Sequence, residues 1–403
     1  MVKFLHTADW HLGIKQVKLG ANAEKAREIR IETVKKLMDS AKENRVDFII
    51  IAGDLFDNND VDRGLIYVAA NIIKRATPIP VYILPGNHDP LTRDSLYLDP
   101  SWDSLDNAII LKNKEIIEIP ELNVALYPCP VTQKQTREDL TEWINATNEK
   151  ISIGIAHGNL QIEGFVEKPN FPINPKRVEI SGLDYLALGE WHSLFKYEEK
   201  NKVVRTVYSG TPETTKFGES DSGKAVIVEI ENHGPKPIIQ EINVGIIKWE
   251  QWKKEISTID DIRHIEKELT RIEQPQHRVI NLYFKGVIDQ EVADYLRLFE
   301  SKYGQRFLYF NLIKEELYLK PDLSKLKAMI PEGTIFEKTV EAIQALMRCQ
   351  PTLQEYSQIS PKEAEGILKE IREIDSAMSA SSQILERALL HLYQMARGHQ
   401  NDG

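Results

Sequence analysis

The stretch Val81-Tyr82-Ile83-Leu84-Pro85-Gly86-Asn87-His88-Asp89 sets the architecture of this chain. Its first four residues form an apolar run, the mark of a buried β-strand. Gly86 lets the backbone turn where a side chain would obstruct it. Three polar residues then stand at the strand's carboxyl end, where open α/β sheets place their sites. Asn87 offers a neutral oxygen to a metal, His88 offers a proton at neutral pH, and Asp89 can orient that histidine. A turn alone needs only a Gly and one Asx residue. His88 and Asp89 therefore exceed what the turn requires.

Upstream, the same design occurs twice. Val2 to Thr7 is β-like and leads into Ala8-Asp9-Trp10-His11-Leu12-Gly13. Asp9 and His11 are two apart, so an extended segment would point both to one side. Asp47 to Ala52 is a second buried strand, followed by Gly53-Asp54-Leu55-Phe56-Asp57. Between the strands, residues 22–44 carry Ala26, Ile29, Thr33, Leu37 and Ala41 at helical spacing, and Arg63 to Ala76 forms a second helix. This β-α-β-α-β order implies parallel strands with helical crossovers.

Downstream, residues 108–111, 115–119 and 123–127 read as short strands, and Gln135 to Thr147 as a helix. Ile151 to Ala156 is another buried strand, ending at His157-Gly158-Asn159. Residues 158–180 read as loop. Asp184 to Leu188 is strand again and ends in Gly189-Glu190-Trp191-His192; strands at 203–208 and 224–230 follow.

Five strand ends thus present metal-capable residues. Asp9, His11 and His192 suit one ion, Asn87, His157 and Glu190 a second, and Asp54 can bridge them. Two ions about 4 Å apart form a clamp for in-line phosphoryl displacement. Mixed nitrogen and oxygen ligation suits Mn²⁺, with Fe²⁺ or Zn²⁺ as alternatives. His88 has no metal to hold in this scheme. It is free to protonate the leaving group as general acid, oriented by Asp89.

Bulk properties agree. The chain has 403 residues, enough for two or three domains. Its formal net charge is -10, from 51 Lys+Arg against 61 Asp+Glu, which is no global footprint of a nucleic-acid binder. Clustered carboxylates that hold divalent cations would account for part of the acidic excess. No run of about 20 apolar residues predicts a membrane span. The first residues enter a strand without a signal peptide's apolar core. Cys129 and Cys349 lack metal-knuckle spacing, and a reducing, cytoplasmic compartment fits them best.

The set Asp9-X-His11, Gly53-Asp54-X-X-Asp57, Gly86-Asn87-His88-Asp89, His157 and Gly189-Glu190-X-His192 resembles the five motifs of the calcineurin-like metallophosphoesterases. Within them, residues 6–13 and 53–57 resemble the SbcD nucleases, and residues 182–189 and 208–212 look most like the YhaO branch. The resemblance is strong to about residue 230. It implies an α/β fold, a four-layer αββα sandwich. It also implies manganese-dependent cleavage of DNA, an SbcC-like coiled-coil ATPase partner, and a homodimer formed through the nuclease domain.

One position departs from the pattern. The last motif is usually Gly-His-X-His, and Glu190 replaces its first histidine. A carboxylate still binds Mn²⁺ well, but its charge weakens the Lewis acidity of the ion it holds. Two further readings follow. The metals could act on a phosphoprotein or cyclic nucleotide, which the extra domains argue against. Or the chain could be a DNA-end-binding scaffold with weakened catalysis.

The expected boundaries are a nuclease domain at 1–243, a capping domain at 244–320 and a linker with helical partner-binding tail at 321–403. In the capping domain a helix at 259–271, strand at 278–285, helix at 290–302 and strand at 306–313 are expected. Lys248, Lys253 and Lys254 are its candidate phosphate contacts, joined by Arg271 and Arg278, although interleaved acids also describe a solvated charged face. Trp249 and Trp252 fit packing better than base stacking. In the tail, Ile367, Ile371, Ile374 and Met378 form an apolar stripe suited to core or to a partner.

Overall fold

The computed structural model describes residues 1–147, 149–162, 169–231 and 236–320, together with Lys338 and Val340. The linker, the tail helices and their apolar stripe otherwise lie outside the described residues. The chain divides into two compact units. One is Met1–Glu250 with Gln276–Val279 and Phe307–Tyr309; the other, among the described residues, is Gln251–Pro275, Ile280–Arg306 and the stretch that begins at Phe310.

The first unit begins β1 (Val2–Thr7), α1 (Ala23–Glu43), β2 (Phe48–Ala52), α2 (Gly64–Lys74), β3 (Val81–Leu84) and β4 (Ala108–Ile110). It continues through β5 (Ile117–Ile119), β6 (Val124–Cys129), β7 (Ile151–His157), β8 (Asn159–Leu160), β9 (Pro172–Ile173), α3 (Arg177–Ser181) and β10 (Tyr185–Gly189). Strands β11 (Phe195–Glu198), β12 (Val204–Tyr208), β13 (Lys224–Ile230) and β14 (Ile238–Asn243) complete it.

These strands make two six-stranded sheets, ordered β14-β13-β1-β2-β3-β4 and β11-β12-β10-β7-β6-β5. In the first, β1 to β4 run parallel, β13 pairs antiparallel with β1, and β14 pairs antiparallel with β13. In the second, β12, β10, β7 and β6 run parallel, flanked by antiparallel β11 and β5. Strands β2, β3, β7 and β10 are buried along their whole length, as parallel strands covered on both faces must be.

Alternation along each strand builds three apolar layers. Phe4, Phe48, Ile50 and Leu84 face Ile153, Ile155, Tyr185 and Val207 between the sheets. The Phe4 and Phe48 rings stack at 5.0 Å, and Tyr185 of the opposite sheet meets Phe4 edge-on at 5.4 Å. On the outer face of the first sheet, Leu5, Ile49, Ile51 and Ile83 pack on α1 and α2. The Ala26, Ile29, Thr33, Leu37 and Ala41 stripe of α1 is buried, as its spacing predicts. On the outer face of the second sheet, Tyr127, Ala156, Leu186 and Leu188 are covered by Ile144, Val178 and Leu183. This is the expected αββα sandwich, with a thin fourth layer.

That layer is thin because the helix expected at Gln135 to Thr147 does not form; the segment is turns and bends. Asp139 explains it. One oxygen accepts from Thr141 N, and the other from Asn174 N at 3.0 Å and Arg177 at 2.8 Å. A short acidic side chain spent on neighbouring backbone competes with helix. The segment expected as loop at 158–180 instead holds two short strands and the start of α3.

Strands β15 (Lys248–Glu255), β16 (Arg278–Ile288) and β17 (Tyr309–Leu319) form a third sheet in that order, most of whose residues belong to the second unit, as do α4 (Ile259–Thr270) and α5 (Gln290–Gly304). Strand β15 is absent from the sequence reading: Lys-Trp-Glu-Gln-Trp-Lys-Lys-Glu is too polar to register as apolar alternation. Thr258 and Asp261 cap α4 reciprocally, and Asp289 caps α5. Among the described residues, no helix is long and apolar enough to cross a membrane.

Candidate metal centre

The loops that leave β1 and β2 run side by side. Asp9 N donates to Gly53 O, His11 N to Asp54 O and Leu12 N to Leu55 O, each at 3.0 Å. This pairing delivers Asp9, His11 and Asp54 to one place. It does so through left-handed backbone, with φ of 54°, 44° and 52° at the three residues. The extended geometry expected for Asp9 and His11 is therefore not what aims them. Such conformations cost on the order of 1–3 kcal/mol each for non-glycine residues, and the paired loops hold them in place.

Two glycines make the approach close enough. A Cβ on Gly53, whose φ is +96°, would lie 2.1 Å from His157 Nδ1. A Cβ on Gly86 would lie 2.1 Å from Asp54 Oδ1.

The seven residues expected to hold metal gather around Asp54. His11 Nε2 and His192 Nε2 are 3.0 Å apart, and the ligand atoms of Asp9, His11 and His192 lie within 4.8 Å of one another. Asp54 Oδ2 is 3.8 Å from His11 Nε2 and 3.3 Å from His157 Nε2. His157 Nε2 also faces Asn87 Oδ1 at 3.1 Å and Glu190 Oε2 at 3.3 Å. Glu190 N donates to both oxygens of Asp9, at 3.1 and 3.2 Å.

Tautomers follow from the partners. His157 Nδ1 lies 2.9 Å from Ala52 O, a pure acceptor, so Nδ1 carries the proton and Nε2 is bare. That bare nitrogen meets three oxygens. Glu190 Oε2 is buried without a hydrogen-bond partner. Such an arrangement repels itself unless a cation or an extra proton sits within it, so the donor set fits a divalent metal. The protein alone answers with protons. Burial lowers the His157 pKa, but the Asp54 charge and hydrogen bond lift it well above the imidazole range. Burial raises Asp54, and His157 more than reverses that, holding the carboxyl well below its usual range.

His88 is exposed beside this cluster. Its amide donates to Asp54 Oδ1 at 3.0 Å, and its Nδ1 donates to Asp57 O at 2.9 Å. Asp89 does not orient it, contrary to expectation. Its carboxylate accepts from Gly86 N and Phe56 N at 2.8 Å and from Tyr97 OH at 2.5 Å. Asp89 therefore ties the β3 turn to the Asp54 loop. Burial first, then the nearby Asp54 charge, raises its pKa to about 7.

The sequence reading missed a set of supporting groups. Glu219 Oε1 stands 2.7 Å behind His192 Nδ1, and Asp57 Oδ1 3.5 Å behind His11 Nδ1. Buried Arg30 donates to Trp10 O at 3.0 Å and Thr214 O at 3.2 Å, joining the Asp9–His11 loop to the loop that holds Glu219. Nothing in local spacing marks Glu219 or Arg30; Asp57 stands in the Gly53-Asp54-X-X-Asp57 motif without an assigned role. His6, by contrast, is a structural residue between Tyr185 OH and Leu188 O, and burial lowers its pKa to about 3.

The candidate DNA-contacting lysines lie on β15, outside this cluster. Lys248 and Lys253 are exposed, whereas Lys254 Nζ pairs with Glu268 at 2.7 Å and sits 5.5 Å from the Trp252 ring centre. Trp249 packs edge-on against Phe217 at 4.9 Å.

The calcineurin-like phosphoesterase family matches residues 2–204, half of the chain. The chain belongs to that family. This phosphoesterase is 28% identical over 333 residues to the DNA double-strand break repair protein Mre11 of Saccharolobus solfataricus, covering 76% of this chain and 84% of that one. It is 25% identical over 259 residues to a subunit of the nuclease SbcCD of Staphylococcus epidermidis, covering 58% of this chain and 67% of that one. It is 26% identical over 239 residues to the uncharacterized metallophosphoesterase YhaO of Bacillus subtilis, covering 57% of each. Among solved structures, the calcineurin-like phosphoesterase YfkN of Bacillus subtilis aligns with 60% of this chain and 90% of that one, at TM-score 0.35 and 14% identity.

Proposed function

We propose that this phosphoesterase is a two-metal DNA phosphodiesterase that processes DNA ends. The observation that carries the reading is the gathering of Asp9, His11, Asn87, His157, Glu190 and His192 around Asp54. Asp9, His11 and His192 would hold one ion, Asn87, His157 and Glu190 the other, and Asp54 both. Bound there, two divalent ions would supply Lewis-acid polarisation of the phosphate and activation of water. Carboxylate, amide and imidazole donors together favour Mn²⁺.

His88 acts as general acid. Its Nδ1 is committed to Asp57 O, which fixes the ring and leaves Nε2 as the position that delivers a proton to the leaving oxygen. Asp89 fixes the turn that carries His88 rather than the imidazole itself. Exposed Lys253 and Lys248 on β15 are the candidate phosphate contacts of a capping domain.

DNA as substrate is supported by relatives named for double-strand break repair and for a nuclease. The name SbcCD supports an SbcC-like ATPase partner, and the tail from 321 is the proposed docking segment. A homodimer through the first unit is a further proposal, for which exposed Tyr67 of α2 and exposed Leu98 are candidate contacts. A reducing, cytoplasmic compartment is consistent with the free, buried Cys129. The scaffold reading is disfavoured because Glu190 turns into the cluster rather than away from it.

The test is Mn²⁺-dependent digestion of labelled linear DNA beside a phosphopeptide. DNA cleavage without dephosphorylation is expected. The reverse pattern would move the substrate to phosphoproteins. Neither activity, with DNA ends still bound, would restore the scaffold.

A further inference from the structure

Two imidazoles of the cluster have a hydrogen-bond partner on the far nitrogen, and the partners differ in kind. His157 is backed by a neutral carbonyl, Ala52 O, at 2.9 Å. His192 is backed by a carboxylate, Glu219 Oε1, at 2.7 Å. Glu219 lies 27 residues beyond His192 and outside the residues that match the family. Its side chain is only 5% exposed, and its geometry is over-determined. Oε2 accepts from Thr215 N at 2.7 Å and Lys216 N at 3.3 Å, while Oε1 also accepts from Thr215 Oγ1 at 2.5 Å. Arg30 fixes the same loop at Thr214 O.

We propose that Glu219 is a positioning residue for the Asp9–His11–His192 half of the centre. As an acceptor, it holds the His192 proton on Nδ1 and leaves Nε2 bare toward His11. It also makes that imidazole a stronger donor, as a carboxylate behind a ligating histidine does. The two halves then differ in charge. Each has one carboxylate of its own, Asp9 in one and Glu190 in the other. The Asp9 half gains a further negative charge one layer out, at Glu219.

This inference rests on the two-ion reading, and the experiment separates the two. The full-length chain and its Glu219→Gln, Glu219→Ala and Glu219→Asp variants are titrated with Mn²⁺ by calorimetry, and each metal-free protein is melted. Wild type should take up two ions. Glu219→Gln and Glu219→Ala should weaken one of them about 10- to 100-fold and leave the other unchanged. Glu219→Asp keeps the charge and should retain more affinity than Glu219→Gln, although Gln matches the length. Two wild-type ions with unaltered variants would overturn the proposal alone. So would parallel weakening of both ions with a lowered Tm, or an Asp variant weaker than Gln. Fewer than two ions in wild type would overturn the two-ion reading itself.

Discussion

Asp54 Oδ2 stands 3.3 Å from His157 Nε2, although Asp54 follows a strand of the first sheet and His157 ends a strand of the second. Both side chains are buried. The same oxygen lies 3.8 Å from His11 Nε2, so one carboxylate spans both halves of the centre. Asp54→Asn keeps the shape and removes the charge. It should lower Mn²⁺ occupancy, read by metal analysis after gel filtration, and abolish DNA cleavage. A variant near the wild-type rate would remove the basis for a shared ligand.

His88 should behave differently, because it is exposed and its Nδ1 is already committed to Asp57 O. His88→Ala should retain both ions and lose roughly 10²- to 10⁴-fold in cleavage rate, the usual weight of a positioned general acid. If metal content falls along with the rate, His88 is a ligand.

Glu190 brings a charge where the family pattern has a neutral imidazole, and its Oε2 is 3.3 Å from His157 Nε2. Glu190→His should preserve or raise activity by restoring Lewis acidity to its ion. Glu190→Ala should lose that ion, leaving one per chain in a Mn²⁺ titration. A metal-soaked crystal with one ion and Glu190 turned outward contradicts this assignment.

The two neighbouring lysines of β15 should separate in a DNA-binding assay. Lys253 is exposed, whereas Lys254 is spent on Glu268 at 2.7 Å. Lys253→Ala should reduce the salt slope of DNA binding by about 1 and weaken binding uniformly across sequences. Lys254→Ala should change it little. Equal losses would show that the Glu268 pair opens on DNA, and no loss from either would move the interface elsewhere.

Much of this centre was legible in sequence because parallel strands buried on both faces read as unbroken apolar runs, so their polar ends stand out. Val81 to Leu84 followed by Gly86-Asn87-His88 is such a case. Backbone hand was not legible. Asp9 and His11 converge through positive φ, which depends on the neighbouring Gly53 and Asp54 loop 44 residues away. Asp89 was misread for a related reason. Its partners Phe56 and Tyr97 come from other segments, so proximity to His88 in sequence said nothing of its hydrogen bonds. Gln135 to Thr147 misled because the Asp139 side chain is spent on Thr141 N nearby and on Asn174 and Arg177 far along the chain, and only the first of these lies within the segment. Glu219 carries no local signature at all.

The proposed donors are divided between the two sheets: Asp9, Asp54 and Asn87 follow β1, β2 and β3, and His157, Glu190 and His192 lie at the ends of β7 and β10. An ion shared across that division would be a crosslink placed at one rim of the sandwich. Its binding energy would then add to the folding energy, by about 2.7 kcal/mol when free metal stands at 100 times its Kd. Chelation during purification would thus do more than silence the protein. It would unfasten one rim of the sandwich, and handling history would show itself as a shift in melting temperature.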